Sequence, residues 1–199
     1  MIARVCYTTG ITAVFLAVAL TSGCSRPTSA IVLDSRRADL DKDGRVETVR
    51  ITCLRRENGH PMGGEVLVLR LLNGVLKPVW RQKNLNPWKL RLADVDGDGL
   101  QEIIVGVWKK SPKDPIMAKR VFVYSWNGTR MMPKWLGSRL SRRFVDFDLN
   151  DLNHDGWTEL IAREVAPGKQ ERIGIYRWRV FGFDWVREEE SEKWRELVR

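Results

Sequence analysis

The chain has 199 residues, 34 Lys and Arg against 25 Asp and Glu, a formal net charge of +9 and three cysteines. That length can bury one hydrophobic core without covalent staples. The cysteine count rules out a disulfide framework, and the positive balance favours anionic partners.

The N-terminus carries an address. Met1–Gly10 holds one charge, Arg4, and is followed by the apolar run Ile11–Leu20. Ten residues are too few to span a bilayer comfortably, so residues 1–23 read as a secretory signal. Thr21-Ser22-Gly23 directly before Cys24 resembles the cleavage box of bacterial lipoproteins. The usual leucine three places before the cysteine is Thr21 here, with Leu20 one place earlier. The resemblance implies lipidation of Cys24, a short linker over 24–29, and an exported protein anchored to the membrane of a bacterial cell envelope. Cys6 would leave with the signal, and Cys53 would remain as a small buried hydrophobe. A basic exported chain is drawn to anionic envelope polymers or lipid headgroups, and nucleic acid is a poor partner for it.

Residues 30–186 divide into three units, at about 30–84, 85–139 and 140–186. Each begins with a short apolar segment: Ala30–Leu33, Leu90–Ala93 and Phe144–Phe147. An acidic loop follows in each. The first holds Asp39, Asp41, Asp43, Gly44 and Glu47. The second holds Asp94, Asp96, Asp98, Gly99 and Glu102. The third holds Asp151, Asn153, Asp155, Gly156 and Glu159. Their first aspartates lie 55 and then 57 residues apart. The segments that leave the loops, Glu47–Ile51, Glu102–Val107 and Glu159–Ala162, are short and β-branched and read as strands.

A polar loop comes next in each unit, at Arg56–Gly64, Lys109–Pro115 and Glu164–Lys169. A hairpin closes the unit. Asn73-Gly74 and Asn127-Gly128 sit between alternating apolar runs, a strong hairpin signal. The third unit lacks this dipeptide. Trp80, Trp135 and Trp185 end the three hairpins and are expected to pack between neighbouring units. Residues 187–199 form a charged tail. Trp194, Leu197 and Val198 stand there at helical spacing, so a short helix would cover an open edge.

The loops have the chemistry of a hard-cation site. Alternating acids in a tight loop aim oxygens at one centre, and the glycine at position 6 permits φ > 0. The carbonyls of position 7, in Arg45, Leu100 and Trp157, would add a ligand each. The glutamate at position 9 would close the site. Position 12, where an EF-hand has its bidentate glutamate, is Arg50, Val105 and Ala162. EF-hands are therefore excluded. Ca²⁺ fits better than Mg²⁺, which keeps more of its waters.

The loops in their β context resemble the FG-GAP/VCBS repeats of integrin-α-type propellers, with Asp94–Ile104 as the closest match. The resemblance implies an all-β fold of three four-stranded antiparallel propeller-like blades, a partial or small β-propeller. It implies Ca²⁺ ligand roles for the three acid sets and a function in adhesion or ligand binding. Glu stands at position 9 where integrins often have Asp. Three units are also fewer than the usual four to eight blades. The ring is open, unusually small, or completed to six by a second copy. No nucleophile motif or phosphate loop is apparent. The expectation is a non-catalytic, calcium-binding surface lipoprotein that binds a protein or an anionic polysaccharide of the envelope. The alternative is an envelope polysaccharide hydrolase or lyase on the same scaffold.

Overall fold

The computed structural model describes residues 30–127, 129–137, 139–165, 168 and 170–199. The signal segment, Cys24, the linker 24–29 and Gly128 lie outside the described residues.

The chain enters through β1 (Ile31–Ala38), rounds the first acidic loop and returns as β2 (Glu47–Cys53). A ribbon of β3 (Arg55–Glu57) and β4 (His60–Met62) precedes the hairpin of β5 (Gly64–Leu72) and β6 (Val75–Leu85). The second sheet contains β7 (Pro87–Ala93), β8 (Glu102–Ser111), β9 (Asp114–Trp126) and β10 (Met131–Leu136). The third contains β11 (Phe144–Asn150), β12 (Glu159–Val165), β13 (Glu171–Arg179) and β14 (Gly182–Glu190). A 3₁₀ turn, Ser191–Lys193, and a single-turn helix, α1 (Trp194–Leu197), end the chain. The protein is thus all-β, with antiparallel pairing throughout and no closed barrel.

There are four sheets rather than the three expected. Three are four-stranded, in the orders β1-β2-β5-β6, β7-β8-β9-β10 and β11-β12-β13-β14. The fourth is the two-stranded β3-β4 ribbon, which occupies the segment read as a loop. Its turn is Asn58-Gly59, with φ of 49° and 80°, the conformation that Asn-Gly supplies in a two-residue hairpin. His60 stacks on Trp108 of β8 at 3.8 Å between ring centroids and ties the ribbon to the second sheet. The expected loop Lys109–Pro115 is mostly strand as well. The buried Arg120 guanidinium donates to the carbonyls of Lys109, Asp114 and Ile116, which holds that hairpin closed.

Alternation along the strands builds the core. Val49, Ile51, Val66 and Val68 of the first sheet meet Ile103, Val105, Phe122 and Tyr124 of the second. The opposite face of the second sheet presents Ile104, Val121 and Val123 to Leu160, Ala162, Tyr176 and Trp178 of the third. The middle sheet is therefore apolar on both faces. The far face of the third sheet, Ile161, Ile173 and Ile175, is covered by Trp194, Leu197 and Val198. The tail thus covers a sheet face rather than the open edge expected of it, and β14 continues through Glu190 before it starts. The outer face of the first sheet carries Thr48, Arg50 and Thr52 where its neighbour has aliphatic residues.

Trp80 and Trp135 do pack across sheet junctions, against Tyr124 and Phe183. Trp185 does not match them and is 51% exposed. Trp80 pairs with Val68 and Trp135 with Val123, but the corresponding partner in the third sheet, Ile175, pairs with Arg187. A register shift between Ile175 and Tyr176 puts Trp185 opposite Tyr176, on the other face.

The first strands of the three sheets approach one another along one side, and charge joins them. Arg91 of β7 forks onto Asp148 of β11 at 2.6 and 2.8 Å. Its remaining nitrogen faces Asp34 of β1 at 4.0 Å. Lys89 bonds Asp146 at 2.8 Å and approaches Asp148 at 3.3 Å. Burial pushes the Asp148 carboxyl up, but the Arg91 fork and the Lys89 charge outweigh it and hold the group below the usual carboxylate range.

Arg91→Ala should lower the unfolding free energy at neutral pH by about 2 kcal/mol, because it removes both bonds of the fork and leaves the half-buried Asp148 only the Lys89 charge and the Leu149 N–H. The folded-state pKa of Asp148 is depressed, so its contribution is complete above the unfolded carboxylate pKa of about 4. It is lost as pH falls through the folded value. Urea titrations should show the difference between wild type and variant closing in acid; a difference independent of pH would remove the ion pair as its cause. Trp194→Ala should cost about 2 kcal/mol in the same assay by uncovering the third sheet.

Candidate metal centre

All three acidic loops join the first and second strands of a four-stranded sheet, and they repeat one backbone conformation. Position 6 has φ of 82°, 81° and 86° at Gly44, Gly99 and Gly156. Position 4 is also left-handed, at Lys42, Gly97 and His154. The hydrogen bonds repeat too. The carboxylate at position 1 accepts from the position-6 N–H: Asp39 from Gly44 at 2.9 Å, Asp94 from Gly99 at 2.7 Å, Asp151 from Gly156 at 2.9 Å. The carboxylate at position 5 accepts from position 7: Asp43 from Arg45, Asp98 from Leu100, Asp155 from Trp157.

The glutamate at position 9 is a brace. Its Oε2 accepts from the N–H at position 2: Glu47 from Leu40 at 3.0 Å, Glu102 from Val95 at 3.1 Å, Glu159 from Leu152 at 3.0 Å. Its Oε1 faces a basic side chain from the closing hairpin. Arg70 donates to Glu47 at 2.8 Å and to Asp41 at 2.8 Å. Lys134 bonds Glu102 at 2.8 Å and also Asp96. Arg177 bonds Asp155 and lies 3.9 Å from Glu159. Burial pushes the Glu102 carboxyl up to about 7 against the opposing bonds from Lys134 and the Val95 N–H. Burial works against the charge on Lys134, but its bonds to Asp96 and Glu102 prevail and raise its pKa.

These basic residues were not found from the sequence. Arg70 and Arg177 stand on third strands and Lys134 on a fourth, at no common distance from their loops.

Two groups converge closely enough to hold a cation among the described residues. Asp39, Asp41 and Asp43 form one, and Asp94, Asp96 and Glu102 the other, each with oxygens within 4.8 Å of one another. Glu47 stays out of the first group and Asp98 out of the second. The third loop brings Asp151, Asn153, Asp155 and Glu159 to the matching places, with Asn153 donating to Asp155 at 3.0 Å. Asp39 Oδ1 and Asp96 Oδ1 are buried without a hydrogen-bond donor. An orphaned carboxylate oxygen in each of the first two loops fits a hard cation, which would satisfy both.

The loops also touch one another. The Thr158 N–H donates to the Asp94 carbonyl at 3.1 Å. Trp157 of the third loop lies over Gly97 of the second, and Arg177 stands 4.8 Å from that indole. Lys42 of the first loop reaches over Gly99 of the second, so all three loops line one end of the molecule.

Beside the first loop, a cleft of about 230 Å³ opens between the first two sheets, lined by Trp80, Trp126, Met131, Arg130, Asp41 and Glu47 among others. At the equivalent junction of the second and third sheets, Trp135, Phe183 and Trp178 fill the space in edge-to-face contacts. Met131 faces Trp126 where Phe183 faces Trp178, and the thinner side chain leaves the cleft open.

A Cβ at position 97 would lie 2.2 Å from the Trp157 indole, whereas one at position 44 would meet nothing within 4 Å. Both glycines have positive φ, so both alanine variants carry a backbone cost of about 1 kcal/mol. Gly97→Ala should cost at least about 1 kcal/mol more than Gly44→Ala, and Trp157→Ala in the same chain should recover most of that excess. Equal losses would show that the loop-to-loop contact carries no energy.

No protein-family model matches the chain, and no curated protein is significantly similar to it.

Proposed function

We propose that the chain is a calcium-binding, non-catalytic binding module of a bacterial cell envelope, exported by residues 1–23 and lipidated at Cys24. One observation carries the calcium reading: the same acidic loop is built three times at the same place in three sheets, with the same backbone and the same internal bonds. Turn formation alone does not call for an orphaned carboxylate oxygen in each of the first two loops. Asp39, Asp41 and Asp43 would hold one Ca²⁺, and Asp94, Asp96 and Glu102 a second. Asp151, Asn153 and Asp155 would hold a third more weakly, since Asn153 brings no charge and this loop is not among those whose acids converge most closely. The cation would offset repulsion among carboxylates that face one another.

The repeat of sheet, loop and hairpin supports a partial FG-GAP/VCBS-type propeller of three blades. Arg50 on the outer face of the first sheet and the tail over the third favour an open, self-contained set over a ring completed by a second copy. The cleft beside the first loop would seat part of a protein or anionic polysaccharide ligand. Its two acids, Asp41 and Glu47, are both engaged by Arg70, which favours binding over hydrolysis.

Calcium at ten times its Kd would add about 1.4 kcal/mol per independent site, and about 4 kcal/mol for three. Chelation should therefore lower the melting temperature and calcium should restore it. Asp94→Asn should remove more of the calcium-dependent shift than Asp151→Asn. A melting curve indifferent to calcium, with no calcium found by elemental analysis, would sink the metal reading.

A further inference from the structure

The exposed charges separate by end. Asp43, Asp98, Asp155 and Asp184 stand exposed at the end that carries the acidic loops. The opposite end is built by the β3–β4 ribbon, the close of β6, the β8–β9 turn and the link from β10 into β11. Arg56, Lys83, Lys109, Lys110, Lys113 and Arg143 are exposed on these segments and make no ion pair among the described residues. The acids beside them are engaged, Glu57 by Arg55, Glu65 by Arg81 and Asp114 by Arg120. The third sheet balances its own charges here, with Glu171, Glu188 and Glu190 facing Arg163, Arg142 and Arg172. Beyond it the tail sets Glu192 and Glu196 against Lys193 and Arg195. The uncompensated charge of this end is therefore basic, and it belongs to the first two sheets and the link that follows them.

These bases form one surface. His60 of the ribbon stacks on Trp108, the residue before Lys109. Trp108, Lys119 and Arg143 line one shallow pocket, and Ala30, Leu54, Arg81 and Lys83 line another. Apolar side chains are set among the charges: Leu54 is 43% exposed and Ile116, near Lys113, is 53% exposed.

Chain geometry chooses between anionic surfaces. The chain enters β1 at this end, where Ile31 pairs with Cys53. Six peptide steps separate Ala30 from Cys24, and an extended chain gains at most about 3.6 Å per step, or about 20 Å in all. The eight residues of β1 then carry the chain about 26 Å further before the first acidic loop. An acyl group on Cys24 would hold the basic end against the lipid and the acidic end away from it.

We propose that the basic end lies on the anionic surface of the bilayer, with Arg56, Lys83, Lys109, Lys110, Lys113 and Arg143 meeting headgroup phosphates and Leu54 and Ile116 reaching the interface. The choice of a bilayer rests on the acylation proposed for Cys24; the basic excess does not. An anionic leaflet attracts Lys and Arg within about a Debye length, and an end resting on it brings several into range together. An anionic polysaccharide would meet the same charges but would leave Leu54 and Ile116 in water. In this orientation the acidic loops and the cleft beside the first of them face away from the membrane, open to a partner.

Amide exchange of the full chain, measured in chelator, tests the orientation. On vesicles of equal parts phosphatidylethanolamine and phosphatidylglycerol, exchange at 54–60 and 109–116 should slow by about threefold or more. Exchange at 71–76 and 179–183, at the loop end, should stay unchanged. Vesicles of phosphatidylcholine alone, or salt of about 0.5 M, should remove most of the protection. Lys109→Glu with Lys110→Glu and Lys113→Glu should do the same on anionic vesicles, with the melting temperature shifted by no more than about two degrees, as expected for exposed positions. Lys77→Glu with Arg179→Glu, at the loop end, should leave the protection intact. A vesicle-bound chain without protection at 54–60 and 109–116, or with protection indifferent to lipid charge, overturns the proposal. Protection by a lipid-free anionic polysaccharide but not by vesicles overturns it equally. The mass of the mature chain tests the anchor separately: a Cys24 without an acyl group would sink the acylation reading, and the exchange pattern would still decide whether this end meets the bilayer.

Discussion

The glutamate three residues beyond each loop glycine has both oxygens committed, and much of the architecture follows from that. Glu47, Glu102 and Glu159 are buried, where an ionised carboxylate is costly unless fully bonded. One oxygen takes the second N–H of the loop and so fixes the loop on the sheet. The other faces a basic residue of the closing hairpin and so ties the first half of the unit to the second. Once the glutamate is placed, the alternation of β2, β8 and β12 is placed too. The residue two positions on, Val49, Ile104 or Ile161, points to the next layer in each case. A carboxylate that sequence spacing casts as a metal ligand is therefore first a structural joint.

The same joint would let a cation and an internal base share one loop. Arg70 and Lys134 engage the outer oxygen of position 3 and the glutamate. The oxygens left without a donor among the described residues are Oδ1 of Asp39 and Oδ1 of Asp96, neither of which the basic residue bonds. A bound cation would find these two oxygens free, whereas at Glu102 it would share an oxygen already bonded to Lys134 or to the Val95 N–H. The base already bonds two of the loop's acids, so a metal would tighten an existing loop more than create one.

The parts of this structure that were legible in the sequence are those written in local chemistry. The glycine at position 6, the strands that leave each loop and the apolar spacing of Trp194, Leu197 and Val198 all depend on neighbours in the chain, and each appears in the fold. The Asn58-Gly59 ribbon was equally local, but its strands are three residues each and carry no apolar alternation. Pairing across strands was not legible. Arg70, Lys134 and Arg177 reach their glutamates from different strands. The register shift that turns Trp185 away from its expected face leaves no mark in the spacing of tryptophans. The ladder of Asp34, Lys89, Arg91, Asp146 and Asp148 lies on three strands far apart in sequence. Its members read individually as ordinary surface charges.

The stack stops at three layers for reasons that lie in side chains, not in the count of loops. A middle layer must be apolar on both faces, and the second sheet is, with Ile103 and Val105 on one side and Ile104 and Val123 on the other. The first sheet breaks the pattern with Thr48, Arg50 and Thr52, so a preceding layer would have to bury the Arg50 guanidinium. The third keeps an apolar outer face but spends it on the chain's own C-terminus. Among the described residues neither outer face carries a further sheet, and the inner side is held by charge pairs. What stays exposed and apolar is confined largely to strand ends and turns, above all the two hairpin turns beside the acidic rim. With the sheet faces accounted for, external contact is left to the two ends of the stack, and charge tells those ends apart: exposed carboxylates rim one, and the exposed bases of the other stand largely without partners among the described residues.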